Sequence, residues 1–510
     1  MLTGAPPSDV ASATPSPRRR VWPWAAGSIL ITLAVIVATL VGHRLAAQAR
    51  LAAEVAPAPT LPPIAVSAII RAPGRVTHLA LDPRAHTLVA EAQNTSCPPP
   101  TPEHPQCDST GTPGQGVAFY DSVTGALRSQ HLTPISTAGG ALFTVIDTTH
   151  SVTYTIASGM VTTYADATGK QTGEFALRPG MDVQSAAVDG PSGMLYLLDS
   201  ANHINPFVGD LPAATMDVSA PPNAQLLVDA SAQRVYAYAP GKLQAFNASD
   251  LAPLGSWRVP QGLRAGPLDA ATHTLYLFSS TGQQVWRLDL AGLPASGTGQ
   301  TVTPQEDTAL RGVTALGFDG ASSVTALIDT SDGETLAGAD GKPYARAPLV
   351  QASSAFPADN ATQPLPVDTS AGLTYLLGDD NTILIASVAR PTSYAAPNAL
   401  TAALIARAGM ARLLPDTNQV PPFVSAQMFP LGAGSVARNF FIHYSDLGWK
   451  GPYAGTASIT DVRAGAQPGD YTMTFTLSWN QLFIRQHSWT VEVTPDGRTH
   501  LRADTGDGLP

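Results

Sequence analysis

One alternation of apolar and polar positions recurs seven times along this chain. An apolar stretch runs into an aspartate, three to five small or polar residues follow, and a second apolar stretch departs. The copies read HLALD-PRAHT-LVA at Asp82, FTVID-TTHS-VTYTI at Asp147, AAVD-GPSG-MLYLL at Asp189 and LLVD-ASAQR-VYAYA at Asp229. GPLD-AATHT-LYLF at Asp269, LGFD-GASS-VTALI at Asp319 and LPVD-TSAG-LTYLL at Asp368 complete the set. β-branched and aromatic residues on both sides of a polar turn predict a strand, a tight turn and a second strand. Aspartate suits the first turn position because its carboxylate accepts hydrogen bonds from N–H groups one or two residues further on. That turn role accounts for all seven carboxylates and competes with reading any of them as a ligand or an acid.

Successive aspartates stand 65, 42, 40, 40, 50 and 49 residues apart. A period near 40 built from strand–turn–strand units predicts a β-propeller. Second hairpins follow in several units: VAFYD-SVTG-ALRSQ at Asp121, VTTYAD-ATG-KQTGEF at Asp166, LQAFN-ASD-LAPLGSW at Asn247 and VWRLD-LAG at Asp289. Four strands of about six residues with three short turns fill such a period. The unit resembles the YVTN-type repeats of the YncE-like surface β-propellers, in which an Asp–turn–LYV hairpin precedes a V–D–xxTG hairpin, over about residues 64–390. The resemblance implies a seven-bladed, mostly non-enzymatic, extracytoplasmic binding scaffold. The apolar run Ile64–Ile70 has no partner in its own unit. It is expected to supply the outer strand of blade seven near Ile383–Val388, closing the ring and removing exposed edges.

Beyond the repeats, Asn398–Leu414 has an asparagine cap, strong helix formers and Pro415 as a stop, which predicts a helix. Its apolar stripe of Leu400, Leu404 and Ile405 fits core packing better than a partner groove. Strands are expected at Val436–Tyr444, Ala457–Val462, Tyr471–Trp479, Trp489–Val493 and Thr499–Ala503. At the other end, Val21–Gly42 carries no charge and follows Arg18, Arg19 and Arg20. As a helix its 22 residues would rise about 33 Å, enough to cross a bilayer core, with the N-terminus cytoplasmic. A cleaved signal peptide ending near Ala47-Gln48-Ala49 is the alternative.

The expected fold class is therefore all-β: a seven-bladed β-propeller preceded by one transmembrane helix and followed by a small α+β or β-sandwich-like domain. The boundaries are a cytoplasmic tail at 1–20, the helix at 21–42, a Pro-rich spacer at 43–63, the propeller at 64–392 and an accessory domain at 396–510. The expected location is the cell membrane, single-pass, with the bulk of the chain extracytoplasmic. In an oxidising compartment Cys97 and Cys107, flanking a proline-rich insert, are expected to form a disulfide.

Charged residues make up only 13% of the 510, with a net charge of −10. No basic cluster interleaved with aromatics follows Arg20, so no nucleic-acid partner is expected. No Gly-x-Ser-x-Gly, His-Glu-x-x-His or Walker motif occurs. His86, His150 and His273 fall in the repeat turns of different blades and are expected to be solvated. The acidic turns Asp329–Glu334 and Asp379–Asn381 lack calcium-loop spacing. Trp449, Trp479 and Trp489 could form a ligand platform but fit a small core better, and Trp286 fits blade packing. No catalytic, cofactor or metal residue is assigned and no cofactor is expected. The expected function is a membrane-anchored, non-catalytic scaffold binding a protein or glycan at the propeller loops or the C-terminal domain. The alternative is a propeller enzyme, either a lactonase-like hydrolase with a channel cation or a quinoprotein.

Overall fold

Each of the six described repeat turns is a four-residue loop that reverses the chain between two antiparallel strands. Asp82 pairs with Thr87, Asp147 with Val152, Asp189 with Met194, Asp229 with Arg234, Asp269 with Thr274 and Asp368 with Leu373. The fourth loop residue adopts the left-handed backbone in every one of these copies. Gly193 and Gly372 do so freely, whereas His86, Ser151, Gln233 and His273 hold φ between 49 and 54°, a conformation costing about 1–2 kcal/mol outside glycine. The carbonyl of that residue then accepts the N–H that ends the third strand. Ser122 bonds His86 in this way, Asp166 bonds Ser151, Ala248 bonds Gln233, Leu290 bonds His273 and Val388 bonds Gly372. One local geometry thus registers three strands of a sheet.

The computed structural model describes residues 54–56, 61–94, 114–134, 142–213, 218–279, 284–293, 298–318, 324–330, 333–347, 363–378, 382–413, 429–432, 438–443, 452–480 and 484–507. Seven sheets of four or five strands are the blades of a β-propeller. Blade one is Arg75–Asp82, Thr87–Asn94, Gly114–Asp121 and Leu127–Pro134, and blade two Phe143–Asp147, Val152–Ala157, Met160–Ala165 and Lys170–Ala176. Blade three opens on Val183–Asp189, blade four on Gln225–Asp229, blade five on Leu263–Asp269 and blade six on Val313–Phe318. Blades four and six each gain a fifth, parallel strand, Thr298–Thr301 and Gln363–Pro364. Blade seven takes Val367–Asp368, Leu373–Leu377 and Thr382–Ser387 from one end of the chain and Val66–Arg71 from the other. Ile70 pairs with Ile383 and Ile69 with Leu384, so the apolar run at 64–70 closes the ring as the outer strand.

Every seam between neighbouring blades holds one apolar cluster. The seam of blades three and four, for example, buries Tyr196, Leu198, Val235 and Phe246. That of blades seven and one buries Ile70, Leu88, Tyr375 and Ile385. The cluster between blades one and two is the smallest, with four fully buried members: Val89, Val117, Phe119 and Tyr164.

The C-terminal part is a six-stranded antiparallel sheet carrying one helix, Ala399–Leu413. Five of its strands, from Arg438–His443 to Thr499–Gly506, occupy the runs expected from the sequence. The sixth comes from the N-terminal side. Glu54–Ala56 pairs with His500 and Thr499, while Pro62 and Ile64 exchange backbone bonds with Arg346 of blade six. The end of the expected spacer is therefore tied down, because its free backbone groups complete two sheet edges. Asn398 caps the helix by accepting from Thr401 N–H at 2.8 Å. Its amide also donates to Val66 O, and Val66 N–H donates to Thr401 Oγ1. Leu404 and Ile405 are buried, Leu404 against Ile64, Leu365 and Leu384. Trp479 and Trp489 are core residues, each 1% exposed.

One part of the expected fold class is corrected. Among the described residues no helix is long and apolar enough to cross a membrane. The helix at Ala399–Leu413 has 15 residues, about 22 Å of rise against the roughly 30 Å needed, and Arg407 is buried within it. Residues 21–42, where the spanning helix was expected, lie outside the described residues, as do Cys97, Cys107, Asp319, Trp449 and Asp379–Asn381.

Candidate functional site

The described repeat aspartates are buried, each no more than 6% exposed, and their partners lie within or between turns. Asp82 Oδ1 accepts from the N–H groups of Arg84 and Ala85, and Asp147 Oδ1 from those of Thr149 and His150. Asp229 takes Ser231 Oγ and Ala232 N–H, Asp269 takes Ala271 N–H and Thr272 Oγ1, and Asp368 takes Ser370 Oγ and Ala371 N–H. Asp189 accepts from Ser192 Oγ at 2.6 Å. The donors stand two and three residues on, one further than the sequence suggested, because the loop has four residues.

Two of the histidines expected to be solvated are bound instead. His150 Nδ1 lies 2.7 Å from Asp147 Oδ2. His273 Nδ1 of blade five lies 2.6 Å from Asp229 Oδ2 of blade four, a bond between blades. At these two turns the ring nitrogen satisfies the second oxygen of a buried carboxylate, which would otherwise lose a hydrogen bond. Among the described residues no group of three or more His, Cys, Asp or Glu side chains is arranged to hold a metal ion.

The first strand of each blade faces the axis, and there an open cavity of about 850 Å³ lies between the blades. Its wall is formed by His78–Leu81, Phe143–Ile146, Gln184–Ala186 and Asn223–Leu226 of blades one to four. Phe318 and Pro364–Val367, the run entering blade seven, close the far side. Apolar and polar surface are nearly balanced in the lining, and one group of polar side chains gathers at blades one to three. Thr77 Oγ1 donates to Glu91 Oε1 at 2.8 Å. Thr144 of blade two lies beside the same carboxyl. His78 and Gln184 stand on the first strands of blades one and three, and Gln184 Oε1 makes no hydrogen bond among the described residues.

Burial shifts both titratable members of this group. It lowers the His78 imidazole to about 4, so the ring is neutral at physiological pH. Burial also raises the Glu91 carboxyl, with the hydrogen bond from Thr77 opposing it in part. The volume falls within the roughly 300–1,000 Å³ of small-molecule pockets. A wall of apolar side chains with a few hydrogen-bonding groups suits a ligand that presents hydroxyl or amide groups beside an apolar face. None of these residues stood out in the sequence. The available signal was a histidine in VTHLALD and a glutamate in TLVAEAQ, each inside an otherwise apolar strand.

No family model matches the sequence, and no curated protein matches it. Among solved structures, Raptor of Chaetomium thermophilum is similar at a TM-score of 0.44 and 12% identity. That likeness covers 62% of this chain and 28% of Raptor, so the chain spans under a third of that protein's length. The β-propeller domain of Myceliophteria thermophila Cps50 (Swd1) is similar at a TM-score of 0.41 and 11% identity, covering 64% of this chain and 100% of that domain.

Proposed function

We propose that this protein is a β-propeller binding module that recognises a protein or glycan partner through its central cavity. The observation that carries the reading is the preformed cavity of about 850 Å³ lined by apolar side chains together with His78, Glu91, Thr144 and Gln184. A protruding side chain or sugar ring enters such a site without a large desolvation cost, and Gln184, Thr144 and Glu91 supply acceptors and donors that orient it. The resemblance of the repeats to YncE-like propellers supports the same reading. Filling the cavity tests it. Ala80, on the first strand of blade one, lines the space, and Ala80→Trp places a large ring there. Glycan and peptide arrays probed with the wild-type chain should show binders that Ala80→Trp loses at least tenfold, at unchanged circular dichroism. Equal binding by both chains would remove the cavity from the site.

A further inference from the structure

Five blades share the position at which the N–H ending the third strand bonds the left-handed turn residue. Its occupants are Ser122, Asp166, Ala248, Leu290 and Val388. The position faces the preceding blade. Ala248 O accepts the Tyr196 hydroxyl of blade three, and Ser122 lies beside Tyr375 of blade seven. Seven residues after the repeat aspartate, blades two to five and seven carry a tyrosine: Tyr154, Tyr196, Tyr236, Tyr276 and Tyr375. Blade one carries Val89 there, and blade two answers with a carboxyl, Asp166, where the other four blades place a neutral residue. Asp82 and Asp166 are both 0% exposed, and their side chains lie within hydrogen-bonding reach across the seam.

The hydrogen bonds leave one oxygen of each carboxyl over. Asp82 Oδ1 is taken by the Arg84 and Ala85 N–H groups, and Asp166 Oδ1 by Thr153 Oγ1 at 2.6 Å. Asp82 Oδ2 and Asp166 Oδ2 have no donor among the described residues. The charged groups on the surrounding turns and strands are engaged elsewhere. Arg84 donates to Thr149 O, Arg128 holds Asp121 and the Thr87 hydroxyl, and His150 is bound to Asp147. Two ionised carboxylates in that place would repel without a counter-charge.

We infer that Asp82 and Asp166 share one proton across the seam of blades one and two, making this joint a pH-sensitive latch. Two backbone N–H bonds favour the carboxylate of Asp82, so Asp166 carries the proton and donates it to Asp82 Oδ2. Raising the pH releases that proton to solvent and leaves two facing carboxylates in the seam with the smallest apolar cluster. Burial, opposed by the Thr153 bond and reinforced by Asp82 and Asp147, raises the Asp166 carboxyl to about 7. The folded value lies above the ordinary one. The stabilisation is therefore complete below about pH 4 and is lost as pH rises through about 7.

His78 acts in the opposite direction. Its lowered value makes stability rise with pH between about 4 and 6.5. The informative quantity is thus the difference between the full-length wild type and Asp166→Asn. The amide can donate the same hydrogen bond to Asp82 but cannot ionise. Urea unfolding from pH 4 to 8.5 should show Asp166→Asn gaining on the wild type as pH rises. The change in relative folding equilibrium should be on the order of a hundredfold or more. If the asparagine variant does not fold, Asp166→Ser, the residue blade one uses, serves in its place. At pH 6 the wild type should also show the infrared C=O stretch of a protonated carboxyl that the variant lacks. A pH-independent difference, or identical infrared spectra, overturns the proposal. So does stabilisation of the wild type, but not the variant, by calcium at pH 8, which would put a cation where the proton is assigned.

Discussion

Replacing Asp229 by alanine removes one acceptor from three donors at once: Ser231 Oγ, Ala232 N–H and His273 Nδ1. The carboxylate is 0% exposed, so water cannot freely replace it, and the left-handed turn at Gln233 loses its bracing. Asp229→Ala should lower the unfolding free energy by about 2–4 kcal/mol in urea titrations. Asp289 is a control with the same turn chemistry on an exposed loop, accepting from Ala291 and Gly292 N–H. Asp289→Ala should cost about 1 kcal/mol or less. Similar losses for both would mean that the inter-blade bond to His273 contributes nothing. The sequence shows both aspartates as turn residues but not this inequality, since the imidazole reaching Asp229 comes from the next blade.

At the scale of the element, the hairpins were legible because everything that makes them is local: apolar runs of strand length, a polar turn and the aspartate. The closing strand was legible for a different reason, as an apolar run with no neighbour to pair with. The parallel strands Thr298–Thr301 and Gln363–Pro364 and the strand Glu54–Ala56 were not. They are short and polar or proline-rich, and they extend only because a distant sheet edge offers its backbone groups. His78 and Glu91 were missed likewise, since a lone polar residue in a strand acquires meaning only when other blades bring Thr144 and Gln184 to it. The helix shows how far one cap can reach. Asn398 satisfies the helix N-terminus and, through its amide, the outer strand of blade seven. Asn398→Ala should cost about 1–2 kcal/mol. Asn398→Asp keeps the cap but not the amide donor, and should recover only part of the loss in thermal melts. Full recovery would show that the bond to Val66 is idle.

For the whole molecule, the propeller and the C-terminal helix share apolar surface rather than a linker. Ile64, Leu365 and Leu384 of the ring pack in one cluster with Leu404 and Leu431. A chain ending at residue 392 would expose that face and lose the partner of Glu54–Ala56. It should bind a hydrophobic dye and aggregate on heating, where the full chain melts in one cooperative step. A truncated chain that stays monomeric with an unchanged melting temperature would show that the ring needs no such cover.

The path of residues 54–71 sets the order in which this protein can be made. The segment leaves the ribosome well before its partners at Arg346, Ile383 and His500. Blades one to five can assemble as they emerge, each on its predecessor, while this leading segment waits without its partners. The ring locks only after Thr382–Ser387 has been synthesised, and the edge at Glu54–Ala56 only after Thr499–Gly506. Both closures therefore wait on segments made more than 300 residues after the strand Val66–Arg71. A protease acting on nascent chains should cut within Val66–Arg71 until Thr382–Ser387 has emerged, and leave the same bonds intact afterwards.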